Sequence, residues 1–158
     1  MMKDTQLTAL AVADYFVWIS NKEGKPVTNK KLQKLIYYAQ AWSLAIRDKK
    51  IFNDRIEAWV HGPAVRSVYV KYKKFGFGTI DEKPVEKEIN KIPQDVQIFL
   101  KDVWNVYGKF DAEYLELLSH SETPWQKARA SLEPNIGSEN EILPVDMRSF
   151  YSAKLKAA

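Results

Sequence analysis

Residues 30–48, KKLQKLIYYAQAWSLAIRD, decide how this chain folds. Leu32, Leu35, Ile36, Ala39, Trp42 and Ile46 recur at three- and four-residue spacings, which places them on one helix face. Tyr37, Gln40 and Leu44 form a second stripe, and Tyr38, Ala41 and Ala45 a third. Between Leu35 and Ile46 only Gln40 and Ser43 are clearly polar. A helix apolar nearly all round is covered on several sides, so the spacing predicts a central buried helix. An amphipathic core helix with aromatic edges is the other reading of the same pattern. Pro26 breaks the preceding chain, Thr28 is placed to cap, and Val27 and Leu32 stand at the two ends of a hydrophobic staple. Lys49 and Lys50 follow, where cations complement the helix dipole.

Outward from this helix, residues 8–22 predict a first helix, with Ala9, Val12, Ala13 and Phe16 on one face. Thr5 or Thr8 is its candidate cap and Gly24 its left-handed stop. Residues 56–60, IEAWV, alternate as a short strand. His61-Gly62-Pro63 then breaks the chain, with Pro63 expected in the first turn of a helix. Val65, Val68, Tyr69, Tyr72 and Phe75 would form its apolar face, and Gly76 and Gly78 would stop it. Phe75 and Phe77 are read as aromatic anchors at that stop. Residues 79–92, TIDEKPVEKEINKI, read as a mobile charged surface loop.

Pro93 opens a helix running to about Tyr107, with Val96, Phe99, Leu100, Val103 and Tyr107 inward. Asp111 caps a shorter helix ending near Ser119-His120, with Phe110 and Leu115 as its staple. Thr123-Pro124-Trp125-Gln126 has the form of a capping box with proline at the first helical position, starting a helix to about Ser131. Residues 133–141 read as loop, and Met147, Phe150 and Tyr151 mark a last helix over residues 145–154. The expected fold is mainly α: a compact single-domain bundle around residues 30–48, with a short β element near residues 56–60.

Composition narrows the function classes. A chain of 158 residues, 46% hydrophobic and 28% charged, is enough for one domain with its own core. There is no cysteine, which excludes a disulfide framework and any thiolate site. No apolar run approaches the roughly 20 residues that span a bilayer. The opening MMKDTQLTAL lacks the apolar core of a signal peptide. These features predict a soluble cytoplasmic protein with no membrane partner. The net charge of +4 divides into +8 over residues 1–80 and −4 over residues 81–158. The basic residues are scattered over several predicted helices, which fits a solvated surface better than a nucleic-acid footprint.

No motif announces catalysis or a cofactor. His61 and His120 are the two histidines, and His120-Ser121-Glu122 is not a metal-ligand spacing. No nucleophile elbow surrounds Ser119 or Ser121, and there is neither a Walker A loop nor a dinucleotide glycine pattern. The segment at His120 reads as a helix-to-helix turn whose polar side chains satisfy freed backbone groups. A small enzyme using His120 and Glu122 is the competing reading. Trp59-x-His61-Gly62-Pro63 is a tight turn built on Gly62 and Pro63.

Three segments together resemble a known family, the Panacea or SocA-like antitoxin domain, which also includes the phage-associated GepA proteins. They are KLQKLIYYAQAWSLA (residues 31–45), IEAWVHGPAVRSVYVKYKKFG (residues 56–76) and LLSHSETPWQKAR (residues 117–129). His120, Glu122, Pro124, Trp125 and Arg129 stand where the family has them, whereas His61 occupies a position more often aromatic. The likeness runs over about residues 8–152. It implies a mostly helical single domain, without cofactor or metal, that binds and neutralises a cognate protein toxin encoded beside it. In the namesake system delivery to a bacterial protease accompanies neutralisation, so a protease adaptor or a phage interaction protein is the alternative. The resemblance leaves no room for a separate DNA-binding domain.

Clustering of Trp, Tyr, Arg and His, the residues that anchor interfaces, marks a candidate toxin-binding set. It comprises Trp59, His61, Gly62, Pro63, Arg66, Tyr72, His120, Glu122 and Arg129. Trp125 and Tyr69 read better as core.

Overall fold

A computed structural model describes residues 7–158. Its centre is α2 (Asn29–Ile46). Every residue from Leu32 to Ala41 is buried, polar side chains included. Such a run on a 3.6-residue period means covering on all sides. Thr28 Oγ1 accepts the Lys31 N–H at 3.2 Å, and the Val27–Leu32 staple is buried as expected. Ile46 departs from the predicted face: it is 55% exposed, because the last turn runs out beyond the elements that cover the helix.

Those covering elements follow from the sequence patterns. α1 (Ala9–Lys22) is capped by Thr8, whose Oγ1 accepts the Ala11 N–H, and ends ahead of Gly24 at φ +69°. Thr5, the other candidate cap, lies outside the described residues. α5 (Gln94–Tyr107) buries Val96, Leu100, Val103 and also Trp104, and leaves Phe99 and Tyr107 partly covered. α6 (Ala112–His120) is capped by Asp111, which accepts the Tyr114 N–H at 2.8 Å. α8 (Pro144–Ala157) lies along α2, with Met147 and Tyr151 buried; it extends past the predicted residue 154.

A small antiparallel sheet sits at one side of the bundle. β1 (Ile56–Trp59) is central, between β2 (Gly62–Ala64) and β3 (Glu141–Ile142). Pro63 therefore belongs to an edge strand, opposite Ala58, and not to the first turn of a helix. An edge tolerates a residue with no N–H to donate. The next helix, α3 (Arg66–Tyr72), starts after Val65 and tightens into a 3₁₀ turn over Lys73–Phe75. Of the two phenylalanines after it, Phe75 packs on the core while Phe77 stands fully exposed.

Two further expectations are corrected. Residues 79–92 are not a free loop. The Ile80 N–H donates to the Val27 carbonyl, a short helix α4 (Glu86–Ile89) forms, and Ile80, Ile89 and Ile92 are buried. Three isoleucines pin a segment whose charges suggested solvent. The capping box at Thr123 is not formed either. α7 (Thr123–Arg129) has Glu122 at its N-cap, with no side-chain cap bond, because that carboxylate points into the core. No described helix is long and apolar enough to cross a membrane.

Candidate functional site

The three motif segments meet, and hydrogen bonds join them. On α2, Gln33 Oε1 accepts the Val65 N–H at 2.8 Å and Asn29 Nδ2 donates to the Tyr69 carbonyl at 3.2 Å. These bonds hold α3 to the central helix. One turn along, Lys34 is only 2% exposed and its Nζ donates to the Pro63 carbonyl at 3.2 Å. Its stem lies against Gly62, whose φ is +108° and where an added Cβ would stand 2.5 Å from Lys34 Cε. Glycine is required there twice over, by conformation and by contact. Burial pulls the Lys34 amine down to about 7; the Glu116 charge opposes this and Lys30 adds to it.

Behind the sheet, Glu122 organises a buried polar cluster. Its Oε1 accepts the Tyr38 hydroxyl at 2.7 Å and the Tyr151 hydroxyl at 2.9 Å, and the Tyr37 and Tyr151 hydroxyls pair at 2.9 Å. Burial is the first cause that raises the pKa of all three tyrosines, so they stay neutral donors. Arg129, also buried, donates to the carbonyls of Ala58 at 3.1 Å and Glu133 at 2.9 Å. Its guanidinium lies 5.1 Å from the Trp125 ring centre, and Trp125 stacks on His120 at 3.9 Å. Trp125 Nε1 donates to the Trp59 carbonyl at 2.9 Å.

His120 is half-buried. Burial first, with Lys34 and Arg129 adding, pulls its imidazole below the ordinary range against the opposing Glu116 charge and Val60 backbone. Ser119 and Ser121 donate their hydroxyls to the Glu116 and Leu118 carbonyls, and Glu122 faces the tyrosines. No nucleophile–base pair thus forms around His120 among the described residues. Nor is any group of three or more His, Asp or Glu side chains among them placed to hold a metal.

In front of this framework lies a groove of about 650 Å³ between α2, the β1–β2 hairpin, α3 and residues 137–139. The Trp59 ring packs edge-on to Tyr69 at 5.0 Å, and the Arg66 guanidinium lies 5.2 Å from its centre. Arg66 also pairs with Glu57 at 3.2 Å and Glu139 at 2.8 Å. His61 is exposed, with Nδ1 3.3 Å from Glu116 Oε2, and Lys30 pairs with that same carboxylate.

The nine candidate residues therefore separate. Trp59, His61, Gly62 and Arg66 line the groove. Pro63 is buried beneath it and supplies the carbonyl that Lys34 uses. Tyr72, placed by periodicity on the apolar face and by residue type in the toxin-binding set, is fully buried and donates to Asp14 at 3.2 Å, so it is core and not interface. It follows Val68 by four residues and shares the inward face. Glu122 and Arg129 are buried in the framework, with His120 against Trp125. Trp125 is buried as read, while Tyr69 is half-buried on the groove wall. Lys34, Lys73 and Phe77 also line the groove and were not among the candidates. The one available signal was Lys34 itself, a single charge in the otherwise uncharged residues 32–46.

Comparison with known proteins agrees with this wiring. The profile of the family described as Antitoxin SocA-like, Panacea domain, matches residues 32–126. Antitoxin SocA of Caulobacter vibrioides (strain NA1000 / CB15N) is 28% identical over 122 residues, which cover 71% of this chain and 65% of that relative. The chain thus spans just under two thirds of the relative's length. No solved structure gives a significant match. The profile covers more than half of the chain, and the three segments inside or bordering it bind one another through Lys34, Trp125 and Arg129; the protein belongs to the antitoxin SocA-like, Panacea domain family.

Proposed function

We propose that the protein is an antitoxin that neutralises a protein toxin, encoded by a neighbouring gene, through direct contact at the groove. The observation that carries this reading is the division of the motif residues. Glu122, Arg129 and Tyr72 are spent on holding the fold, while Trp59, His61 and Arg66, with the neighbouring Phe77, offer aromatic rings and a guanidinium at one surface. A rigid scaffold that presents aromatic and Arg anchors is what a binding surface needs. The reading assigns no catalytic step and no cofactor to the chain, and its partner is a protein, not a nucleic acid.

Co-expression tests it. The neighbouring gene is induced alone and together with this protein, and growth and co-purification are followed. Arrested growth that the protein relieves, with the two proteins recovered as a complex, supports direct neutralisation. Arg66→Ala should then weaken the complex by about tenfold or more, the effect of truncating an interface anchor, while the variant stays folded with a modest fall in thermal midpoint from the lost Glu57 and Glu139 pairs. A harmless neighbour, or relief without a complex, defeats the reading and favours a protease adaptor or another phage interaction protein.

A further inference from the structure

We propose that the groove takes an acidic, partly apolar segment of the partner protein, with one carboxylate reaching the buried Lys34 ammonium. This rests on the direct-binding reading and adds the chemistry of what is bound.

The charges that face the groove are unbalanced. Lys30, Lys34, Arg66 and Lys73 line it together with the His61 ring, and Glu139 is the one acidic lining residue among the described residues. Lys30 and His61 share Glu116, and Arg66 is held by Glu57 and Glu139. Lys73 has no ion partner among the described residues. Lys34 is the informative member. An ammonium carries three donors, and among the described residues Lys34 Nζ has a single acceptor, the neutral carbonyl of Pro63. A buried cation without a paired anion is unfavourable. The fold nevertheless places it in the lining of an open groove, where an entering carboxylate would supply the missing acceptor.

The walls supply the other half of the specificity. Trp59 and Tyr69 form an edge-on aromatic pair on one side, and Phe77 stands fully exposed at the rim. Apolar side chains between acidic ones would pack there. The volume, about 650 Å³, is within the range that encloses a small ligand. It suits a few residues of extended chain and not a helical duplex. A basic segment would meet Lys30, Arg66 and Lys73 as like charges with Glu139 to offset them, which disfavours it. Nucleic acid draws on cations spread along a track of phosphates, and here the cations converge on one cleft with an aromatic wall.

The test is selection of a random-peptide phage library on the immobilised full chain, with parallel binding to Lys34→Met and Lys73→Glu. Lys73 is exposed and has no ion partner among the described residues, so its variant removes no contact that holds the fold. Lys34→Met replaces a buried amine by an apolar side chain of similar length. Enriched peptides should combine Asp or Glu with Phe, Leu or Trp, and should lose about tenfold or more in affinity on each variant. No enrichment, enrichment of neutral or basic peptides, or acidic peptides that bind Lys34→Met unchanged would each overturn the proposal. An oligonucleotide that binds the wild type and loses affinity on Lys73→Glu would overturn it in favour of nucleic acid. The two readings fail separately. If both variants relieve toxicity as well as wild type does, the groove assignment is wrong and the antitoxin reading stands. If the neighbour is harmless yet Lys34-dependent acidic peptides emerge, the antitoxin reading is wrong and the groove assignment stands.

Discussion

Lys34 makes the stability of this protein depend on pH in an unusual direction. Burial lowers its folded pKa to about 7, well below the 10.5 of a lysine in water. Between those values the unfolded chain holds a proton that the folded chain has released, so stability rises with pH. The penalty is complete below about pH 7 and absent above about pH 10.5. His120, also depressed, costs stability as pH falls through the ordinary histidine value of 6.5. Tyrosine limits the alkaline side. Tyr15 and Tyr107 are raised to about 12, so above about pH 10 the unfolded chain loses protons that the folded chain keeps, and stability falls. The maximum should therefore lie between about pH 9 and 10. Urea midpoints should rise between about pH 7 and 9 by the equivalent of about 2 kcal/mol, and Lys34→Met should flatten the rise. A flat wild-type profile would show that the amine is not buried as described. At the same contact, Gly62→Ala forces a Cβ into φ +108° and against Lys34. A loss of about 2 kcal/mol or more is expected. Pairing it with Lys34→Ala should recover only the steric part, which a double-mutant cycle in urea measures.

At the scale of elements, periodicity was a good guide wherever one face of a helix meets one core. It placed α1, α2, α5, α6 and α8 close to their observed ends, and the Thr8, Thr28 and Asp111 caps are in place. It failed where tertiary contact reassigns a residue. Pro63 suits a helix start locally, but pairing with β1 puts it on a sheet edge. Thr123 suits a capping box locally, but Glu122 is claimed by Tyr38 and Tyr151 from distant helices. The candidate site was legible in part for the same reason. Aromatic and Arg clustering located the groove wall at Trp59 and Arg66, and periodicity put Tyr72 on the inward face of α3, whereas spacing could not say that Glu122 and Arg129 turn inward. Residues 79–92 show the converse, a charged segment fixed by Ile80, Ile89 and Ile92. Trypsin should accordingly spare Lys87 and Lys91 in the native protein and cut there in Ile89→Ser. Early cleavage of wild type at those lysines would restore the mobile-loop reading.

For the molecule as a whole, the buried polar cluster joins parts far apart in sequence. The Tyr37–Tyr151 hydroxyl pair spans 114 residues, Tyr38–Glu122 spans 84 and Arg129–Ala58 spans 71. Bringing such distant residues together costs chain entropy before any bond repays it. The helices, whose contacts are local, can form first, and the Glu122 cluster belongs to the final consolidation. Its members should therefore act on the far side of the folding barrier. In stopped-flow measurements, Glu122→Gln should leave the refolding arm of the chevron almost unmoved and raise the unfolding rate. A slower refolding arm would place the cluster in the nucleus instead. The same carboxylate that locks the family's third motif to its first would then set the lifetime of the native state, a kinetic clamp rather than a seed of folding.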